Sequence, residues 1–348
     1  MAITKFIPEV WSAQILTTLE KAHVYGAVSN RNYEGDISEY GDTVHIIDVA
    51  DPTITPYVRN TNLSDPEALT DDEQILTIDQ ANSFNFQIDD LDKAQVRNSG
   101  GLVDEAAKRA AWGLRDLSDR FLAAKMAGAG FGLGLVDGTT AANVYDDFIV
   151  PASVRLDEQN VPEEQRWAVV SPSIYGKLQL DDRFIKAAYS GTGALHNGMV
   201  GDAGGFRIYK SNNAPQANRT GLTITTTSGN KTITAAAGTF SQGDVGLTIT
   251  GTGVGASNAV ESVSADGATA TVTVNSTASA TVADGAISGG GQLAIAGSSI
   301  ATTYAEQILK TVAYSPEKRF GDALKGLHVY GGRVVRPEAL AVASIKTA

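Results

Sequence analysis

The strongest pattern of apolar residues spans residues 101–127 and has helical spacing. Two seven-residue series carry it, namely Val103, Ala110, Leu117 and Ala124, and Ala107, Leu114 and Phe121. This spacing predicts one helix, about 40 Å long at 1.5 Å per residue. The stripe is rich in alanine and shorter than four heptads, so we expect the helix to lie across a sheet and not in a coiled coil.

Between residues 43 and 88 the apolar period is two. Residues 43–47 predict one strand, and residues 74–78 predict a second whose alternation continues to Ile88. The connection from Val58 to Glu73 is polar, and we interpret residues 43–88 as an extended two-stranded loop. Because two strands alone gain little stability, its tip is predicted to dock on another surface, and a solvated hairpin is the alternative.

Helix and strand alternate over residues 141–215. The pattern predicts a helix at 145–159, a buried strand at 167–170, a helix begun by Ser171-Pro172 and a strand at 206–209. This mixture indicates an α+β fold.

The two ends of the chain have weaker patterns. Residues 1–25 predict a short amphipathic helix that ends before Gly26. Near the other end, residues 327–330 and 333–335 predict two strands that meet at Gly331-Gly332, or one longer bent strand.

Composition changes abruptly between residues 216 and 292, where Gly, Ala, Ser, Thr and Val dominate. The charged residues in this stretch are Arg219, Lys231, Asp244, Glu261, Asp266 and Asp284. Short alternating runs separated by Gly- and Ser-containing turns predict a small all-β sandwich or barrel, and a low-complexity linker is the alternative. Because the α+β composition resumes after Leu293, we expect the β unit to be an insertion.

Composition narrows the classes of function. A length of 348 residues suggests two or three packed units. The chain has no Cys, which excludes disulfides and cysteine nucleophiles, and its four scattered His residues argue against a His-rich metal site. A net charge of −12 argues against holding nucleic acid by phosphate neutralisation, but it is compatible with a wall that encloses nucleic acid. No apolar run approaches the roughly 18 residues of a membrane span, and we expect no secretory signal.

Candidate catalytic chemistry is sparse. The glycine runs at 130–134 and 251–255 lack the strand–turn–helix context of a phosphate-binding loop and are interpreted as turns and helix stops. The carboxylates of residues 89–92 lack the spacing of a calcium loop and indicate a solvated, helix-initiating turn, with calcium or magnesium binding as the alternative. No serine or histidine pattern indicates a nucleophile or a triad. We therefore expect no enzyme, no catalytic residue, no cofactor and no metal.

Several short stretches outside residues 216–292 occur in a distinctive order. They are Phe6-Ile7-Pro8-Glu9-Val10-Trp11-Ser12, Asn32-Tyr33-Glu34-Gly35-Asp36, Gly41-Asp42-Thr43-Val44, Asp79-Gln80-Ala81, Phe84-Asn85-Phe86, Asp89-Asp90-Leu91-Asp92-Lys93-Ala94-Gln95, Pro316-Glu317-Lys318-Arg319-Phe320, Gly326-Leu327-His328-Val329-Tyr330-Gly331 and Arg336-Pro337-Glu338-Ala339-Leu340. Together they resemble the major capsid proteins of tailed bacteriophages, particularly those of phages of actinobacteria.

The resemblance implies the Hong Kong 97-type capsid fold with an inserted small all-β domain. Residues 1–42 would be the N-terminal arm, 43–88 the extended two-stranded loop that reaches over a neighbouring subunit, and 89–140 the peripheral domain with its spine helix at 101–127. Residues 141–215 and 293–312 would form the axial domain, 216–292 the inserted β domain, and 313–348 return strands that lie mostly in the peripheral domain.

The resemblance also implies a function. Copies of the chain would self-assemble into hexamers and pentamers of an icosahedral shell around double-stranded DNA, which they would enclose without specific binding. Scaffolding and portal proteins are the expected partners, a decoration protein is a further candidate, and no membrane is involved. The shell would be assembled in the host bacterial cytoplasm and become the virion capsid.

Four charged residues are candidates for contacts between subunits. Arg59 and the acidic triplet Asp71, Asp72 and Glu73 lie in or beside the polar connection of the extended loop. They would form charge pairs with neighbouring copies, and the alternative is that they are solvated.

Two other functions remain open from the sequence. An encapsulin-like nanocompartment shell would have the same fold but would bind cargo enzymes. A surface-binding or fibre protein would use the β unit as a binding module, but it predicts β repeats throughout the chain, which the α+β flanks argue against.

Overall fold

The computed structural model describes residues 24–32, 43–49, 54, 56, 59, 71–89, 99–181, 202–256, 258–316 and 321–346. The helices in these ranges are α1 (Tyr25–Val28), α2 (Ser99–Ala129), α3 (Ala141–Val144), α4 (Val150–Glu158) and α5 (Pro172–Gln179), and a π-helical turn (Tyr145–Ile149) joins α3 to α4. The strands are β1 (Thr43–Val49), β2 (Asp71–Thr77), β3 (Gln80–Asp89), β4 (Phe131–Asp137), β5 (Arg166–Val170), β6 (Asp202–Ala203), β7 (Phe206–Lys210), β8 (Arg219–Thr226), β9 (Thr232–Ala235), β10 (Thr248–Thr250), β11 (Asn258–Val263), β12 (Thr269–Val272), β13 (Ala280–Ser288), β14 (Gln292–Ser298), β15 (Thr302–Tyr314), β16 (Gly321–Val334) and β17 (Leu340–Lys346).

The long predicted helix is α2, which extends two residues beyond each end of the predicted range. Its buried side chains include Ala111, Leu114 and Leu122. At its end the Gly130 N–H donates to the Met126 carbonyl at 3.1 Å. A Cβ on Gly130 would lie 2.7 Å from Val342 Cγ2, so glycine lets the chain pass from the helix directly into β4.

A six-stranded sheet in the order β4-β17-β14-β5-β7-β6 carries the main core. β4 runs parallel to β17 and β5 parallel to β7, and the other neighbours are antiparallel. All of β5 and residues 340–345 of β17 are buried, which is typical of strands covered on both faces. Ser171 caps α5 as predicted, because its side chain accepts from the Ile174 N–H at 3.4 Å.

The sheets divide the chain differently from the expected domain boundaries. β4, within 89–140, and β17, within 313–348, both lie in the six-stranded sheet, whereas β15, which begins within 293–312, pairs with β16. Strand pairing therefore crosses the expected boundaries at 140 and 312, and the division into domains stays a prediction. The physical reason is that the apolar run of β17 fills the position between β4 and β14, where its side chains are removed from water.

A three-stranded sheet in the order β15-β16-β3 packs beside α2. β3 continues the alternation that begins in β2, but it pairs with β16 and not with β1. β16 is one strand through Gly331 and Gly332, so the longer-strand alternative holds and the pair of strands does not form. A Cβ on Gly331 would overlap the Thr77 carbonyl oxygen, so this glycine serves the close approach of another strand, not a turn.

The unit between residues 216 and 292 contains a closed six-stranded barrel in the order β10-β11-β12-β9-β8-β13. Closure by the β10–β13 pair leaves the barrel without a free edge. Its interior is apolar and includes Ile224, Ile233, Phe240, Leu247, Ile249, Val260, Val272 and Ile287. Residues 219–288 therefore form regular strands, not an unstructured linker.

The predicted N-terminal helix lies outside the described residues apart from Val24 and Tyr25. The helical turn described there, α1, begins at Tyr25 and runs through Gly26, so the end of the predicted helix before Gly26 stays a prediction. A side chain of α2 holds the start of α1, as described below.

Candidate assembly surfaces

The ribbon formed by β1 and β2 is anchored at its base. Val44 and Leu76 pack with Ala305 and Val329 in a small buried cluster. Nearby, Gln74 Nε2 donates to the Val335 carbonyl at 3.2 Å, and Arg333 Nη1 donates to the Ile75 carbonyl at 2.8 Å. The opposite end of the ribbon lies about 20 Å further along the strands, at roughly 3.3 Å per residue.

The predicted acidic triplet begins β2 at that opposite end. The register pairs Asp71 with Val49 and Asp72 with Asp48. This end of the ribbon is therefore rich in acidic residues along the chain.

The structure does not bring the four predicted contact residues together. Glu73 contacts His45 Nδ1 on the neighbouring strand, and both side chains are 52% exposed. Arg59 lies in an exposed turn, and none of the described ion pairs joins it to the triplet. Their contact with neighbouring subunits stays a prediction.

Residues 24–32, which we call the strap, cross the body between α2 and the β15–β16 pair. The buried carboxylate of Asp119 on α2 accepts from the Val24 N–H at 3.1 Å and the Tyr25 N–H at 2.9 Å. Its second oxygen accepts from Asn213 Nδ2 at 3.1 Å. Asp119 therefore satisfies two N–H groups at the start of α1, which α1 itself leaves without partners.

The far end of the strap is bonded to β15 through the backbone. The Asn30 N–H donates to the Thr302 carbonyl at 2.8 Å, and the Tyr304 N–H donates to the Asn30 carbonyl at 2.9 Å. These bonds form a short parallel bridge beside the three-stranded sheet.

A buried carboxylate, Glu306, collects donors from three segments beside this bridge. Arg31 Nη2 from the strap lies 2.6 Å from Glu306 Oε1. The Tyr304 hydroxyl donates to Glu306 Oε2 at 2.7 Å, and His328 Nε2 from β16 lies 3.2 Å from the same oxygen. The side chain of Glu306 is 8% exposed and that of His328 is fully buried, so these charged contacts are well shielded from water.

Burial raises the pKa of the Tyr304 hydroxyl well above its ordinary value, and the neighbouring Glu306 charge raises it further. Burial and then the charge of Asp119 raise the pKa of Tyr25 in the same way. Both phenols therefore stay protonated at neutral pH, and Tyr304 remains a donor to Glu306.

Sequence reasoning missed Asp119, Glu306 and His328. In the sequence, Asp119 resembles an ordinary outer-face residue of a helix. It is buried because the strap packs over it. Glu306 interrupts the apolar run of β15, and His328 lies within the run of β16. A charged or titratable residue inside an apolar strand was the available signal.

The barrel is packed firmly against the six-stranded sheet through residues 242–246. A Cβ on Gly243 would overlap Leu293 and lie 3.2 Å from Val342 Cγ1. Here Asp244 is buried, accepts from the Ser241 N–H at 2.7 Å and pairs with Arg219. Burial raises the pKa of Asp244 above its ordinary value of 3.8, although Arg219 and Ser241 oppose the shift.

This raised pKa gives a stability prediction with a defined sign. Because the folded-state pKa of Asp244 lies above the unfolded value, its contribution is present below about pH 4 and is lost as the pH rises through the folded pKa. We expect the melting temperature of the parent to fall relative to Asp244→Asn between pH 3.5 and 7, as measured by calorimetry.

The exposed Asp266 provides a control of opposite sign, since hydrogen bonds from Ser264 and the Ala268 N–H lower its pKa. The parent should therefore gain relative to Asp266→Asn over the same pH range. A parent that gains relative to Asp244→Asn would show that attraction to Arg219 outweighs burial.

The described ranges contain neither a metal-binding cluster nor a membrane-spanning helix. No group of three His, Asp or Glu side chains there is arranged to hold a metal ion. No helix in the same residues is long and apolar enough to cross a membrane.

Among the comparisons with known proteins, only the one with solved structures found matches. No family model matches the sequence, and no curated protein matches it. Among solved structures, one of Mycobacterium phage Che8 matches with a TM-score of 0.61 and 23% identity, covering 94% of this chain and 92% of that chain. The capsid of cyanophage P-SCSP1u matches with a TM-score of 0.57 and 19% identity, over 94% and 89% of the two chains. The mature capsid of bacteriophage PhiM1 matches with a TM-score of 0.55 and 16% identity, over 94% and 88%.

The chain has the fold of a phage capsid subunit. This confirms the mixed helix and sheet architecture that the resemblance implies, the Hong Kong 97-type capsid fold.

Proposed function

We propose that this chain is the major capsid protein of a tailed bacteriophage. Its copies assemble into hexamers and pentamers that close an icosahedral shell around double-stranded DNA. The observation that carries the proposal is the capsid fold over 94% of the chain. The role is structural, and the chain has no catalytic site of its own.

Each part of the fold has a proposed role in the shell. Residues 1–42, including the strap, are the N-terminal arm, and residues 43–88 contain the loop that reaches a neighbouring copy. α2 is the spine helix of a peripheral domain with β3, β15 and β16, and the six-stranded sheet forms the axial domain. The barrel is an inserted β domain, and its close packing on β4 and β17 favours a rigid projection over a swinging one.

The far end of the ribbon is the proposed contact with a neighbouring copy. The facing Asp48 and Asp72 favour a basic partner surface, and Arg59 provides a cation that an acidic surface would pair with. A ring of copies needs two different complementary patches on each subunit. A single exposed ion pair contributes little, but contacts repeated around a shell add through multivalency.

The other proposed partners follow from this role. Scaffolding and portal proteins take part in assembly in the host bacterial cytoplasm, and a decoration protein is a further candidate for the finished virion. The net charge of −12 suits a wall that encloses DNA without specific binding.

Negative-stain electron microscopy tests the proposal. The chain is expressed alone and together with the products of its neighbouring genes, and each preparation is imaged after gel filtration. We expect closed polyhedral shells or capsomer-sized rings. A chain that stays monomeric with a scaffolding partner present would contradict the proposal.

A further inference from the structure

The strap is held to the rest of the molecule by hydrogen bonds at its two ends and by the buried side chains between them. Asp119 holds the N–H groups of Val24 and Tyr25, and the Asn30 bridge and the Arg31–Glu306 pair hold the other end. Between them, Tyr25 and Val28 are the apolar side chains that the strap buries. A segment held in this way can separate from a body whose own sheets and barrel do not depend on it.

Glu306 is the contact that governs such a separation. It lies almost out of water, and Arg31 is the charged donor that the strap brings to it. If the strap leaves, Glu306 loses the charged donor Arg31, while Tyr304 and His328 of its own sheet stay beside it. Charged hydrogen bonds in shielded surroundings are the strong ones, so this loss opposes opening.

We infer that residues 24–32 form a latched strap that opens and closes as one unit, and that the buried carboxylate of Glu306 is the latch. Opening breaks the Arg31–Glu306 pair and the Asn30 bridge together, while α2, the two sheets and the barrel stay folded. The latch itself does not depend on the proposed function. Its consequence does, because in a shell the strap would fix one end of the N-terminal arm to the subunit.

Limited trypsin proteolysis of the unassembled chain tests the latch, because Arg31 is itself a cleavage site. When opening and closing are faster than cleavage, the rate of cleavage follows the population of the open state. In the parent, cleavage after Arg31 should be slow. In Glu306→Gln, which keeps the shape but removes the charge, mass spectrometry should show it faster by about 10- to 100-fold.

Two controls separate strap opening from general loosening. Asp116→Asn removes a partly exposed ion pair with Arg120 on α2 and should leave cleavage after Arg31 unchanged. Cleavage after the buried Arg166 should not accelerate in Glu306→Gln. Equal rates after Arg31 in the parent and Glu306→Gln would overturn the latch, as would equal acceleration after Arg31 and Arg166.

A milder variant decides the question if Glu306→Gln does not fold. Tyr304→Phe removes only the hydroxyl that donates to Glu306 and should accelerate cleavage after Arg31 by about 2- to 10-fold. No acceleration in Tyr304→Phe would overturn the latch. Failure here would leave shell formation by microscopy unaffected, so the two proposals fail separately.

Discussion

Replacing residues 50–70 by an Asn-Gly turn is expected to abolish shell assembly while the subunit stays folded. Val49 and Asp71 are register partners, so a two-residue turn can join β1 to β2 without changing their pairing. The base of the ribbon keeps its packing through Val44 and Leu76. What the variant loses is the part of the loop that we propose to contact the neighbouring copy.

Microscopy and calorimetry measure the two halves of this prediction. We expect no shells, and a melting temperature within about 3 °C of the parent, which corresponds to roughly 2 kcal/mol in a chain of this size. A second variant replaces residues 50–70 by a Gly-Ser segment of equal length, which keeps the reach but removes the side chains. It should also fail to assemble. Normal shells from the shortened variant would contradict the role of the loop.

Asp119→Ala is expected to destabilise the folded subunit strongly. The substitution leaves the N–H groups of Val24 and Tyr25 and the Asn213 amide without their shared acceptor, in a place where water has little access. Each orphaned buried group costs about 1–3 kcal/mol. Allowing for relaxation of the strap, we expect a loss of about 3 kcal/mol and a fall in melting temperature of roughly 4 °C.

The matched control for this prediction lies one turn earlier on the same helix. Asp116 forms its ion pair with Arg120, whose side chain is 63% exposed while that of Asp116 is 16% exposed, so Asp116→Ala should cost about 1 kcal/mol or less. Comparable losses in Asp116→Ala and Asp119→Ala would show that helix propensity, and not the capping of α1, controls the stability of this region.

The barrel shows which features the local sequence pattern predicts and which depend on contacts between remote segments. Alternating residues between Gly and Ser turns were enough to predict short strands and an all-β unit between residues 216 and 292. The closing pair, β10 with β13, joins strands that are not adjacent in the chain, and the pattern of either strand alone contains no record of it. The packing of Gly243 on Leu293 and Val342 is equally remote from the local pattern.

Strand pairing crosses the expected domain boundaries at 140 and 312 for a related reason. β4 and β17 have ordinary apolar patterns that are compatible with either sheet. They lie beside each other in the six-stranded sheet. Gly130 allows this close packing, because a Cβ at that position would lie 2.7 Å from Val342 Cγ2. Sequence reasoning interpreted this glycine only as a helix stop, which was correct locally but incomplete.

By itself, the sequence determined what depends on neighbours along the chain. The length of α2, the strands of the ribbon, the cap at Ser171 and the absence of cysteine chemistry follow from spacing and residue type. The predicted stripe of α2 was right only in part, because Ala107 and Leu114 are buried but Leu117 and Ala124 are exposed. The tertiary structure alone decided the sheet order and the sites that join remote segments, Asp119 with the strap and Arg31 with Glu306. An isolated charged residue carries no sign of its partner 95 or 275 positions away, because burial and pairing are properties of the packed chain and not of the local sequence.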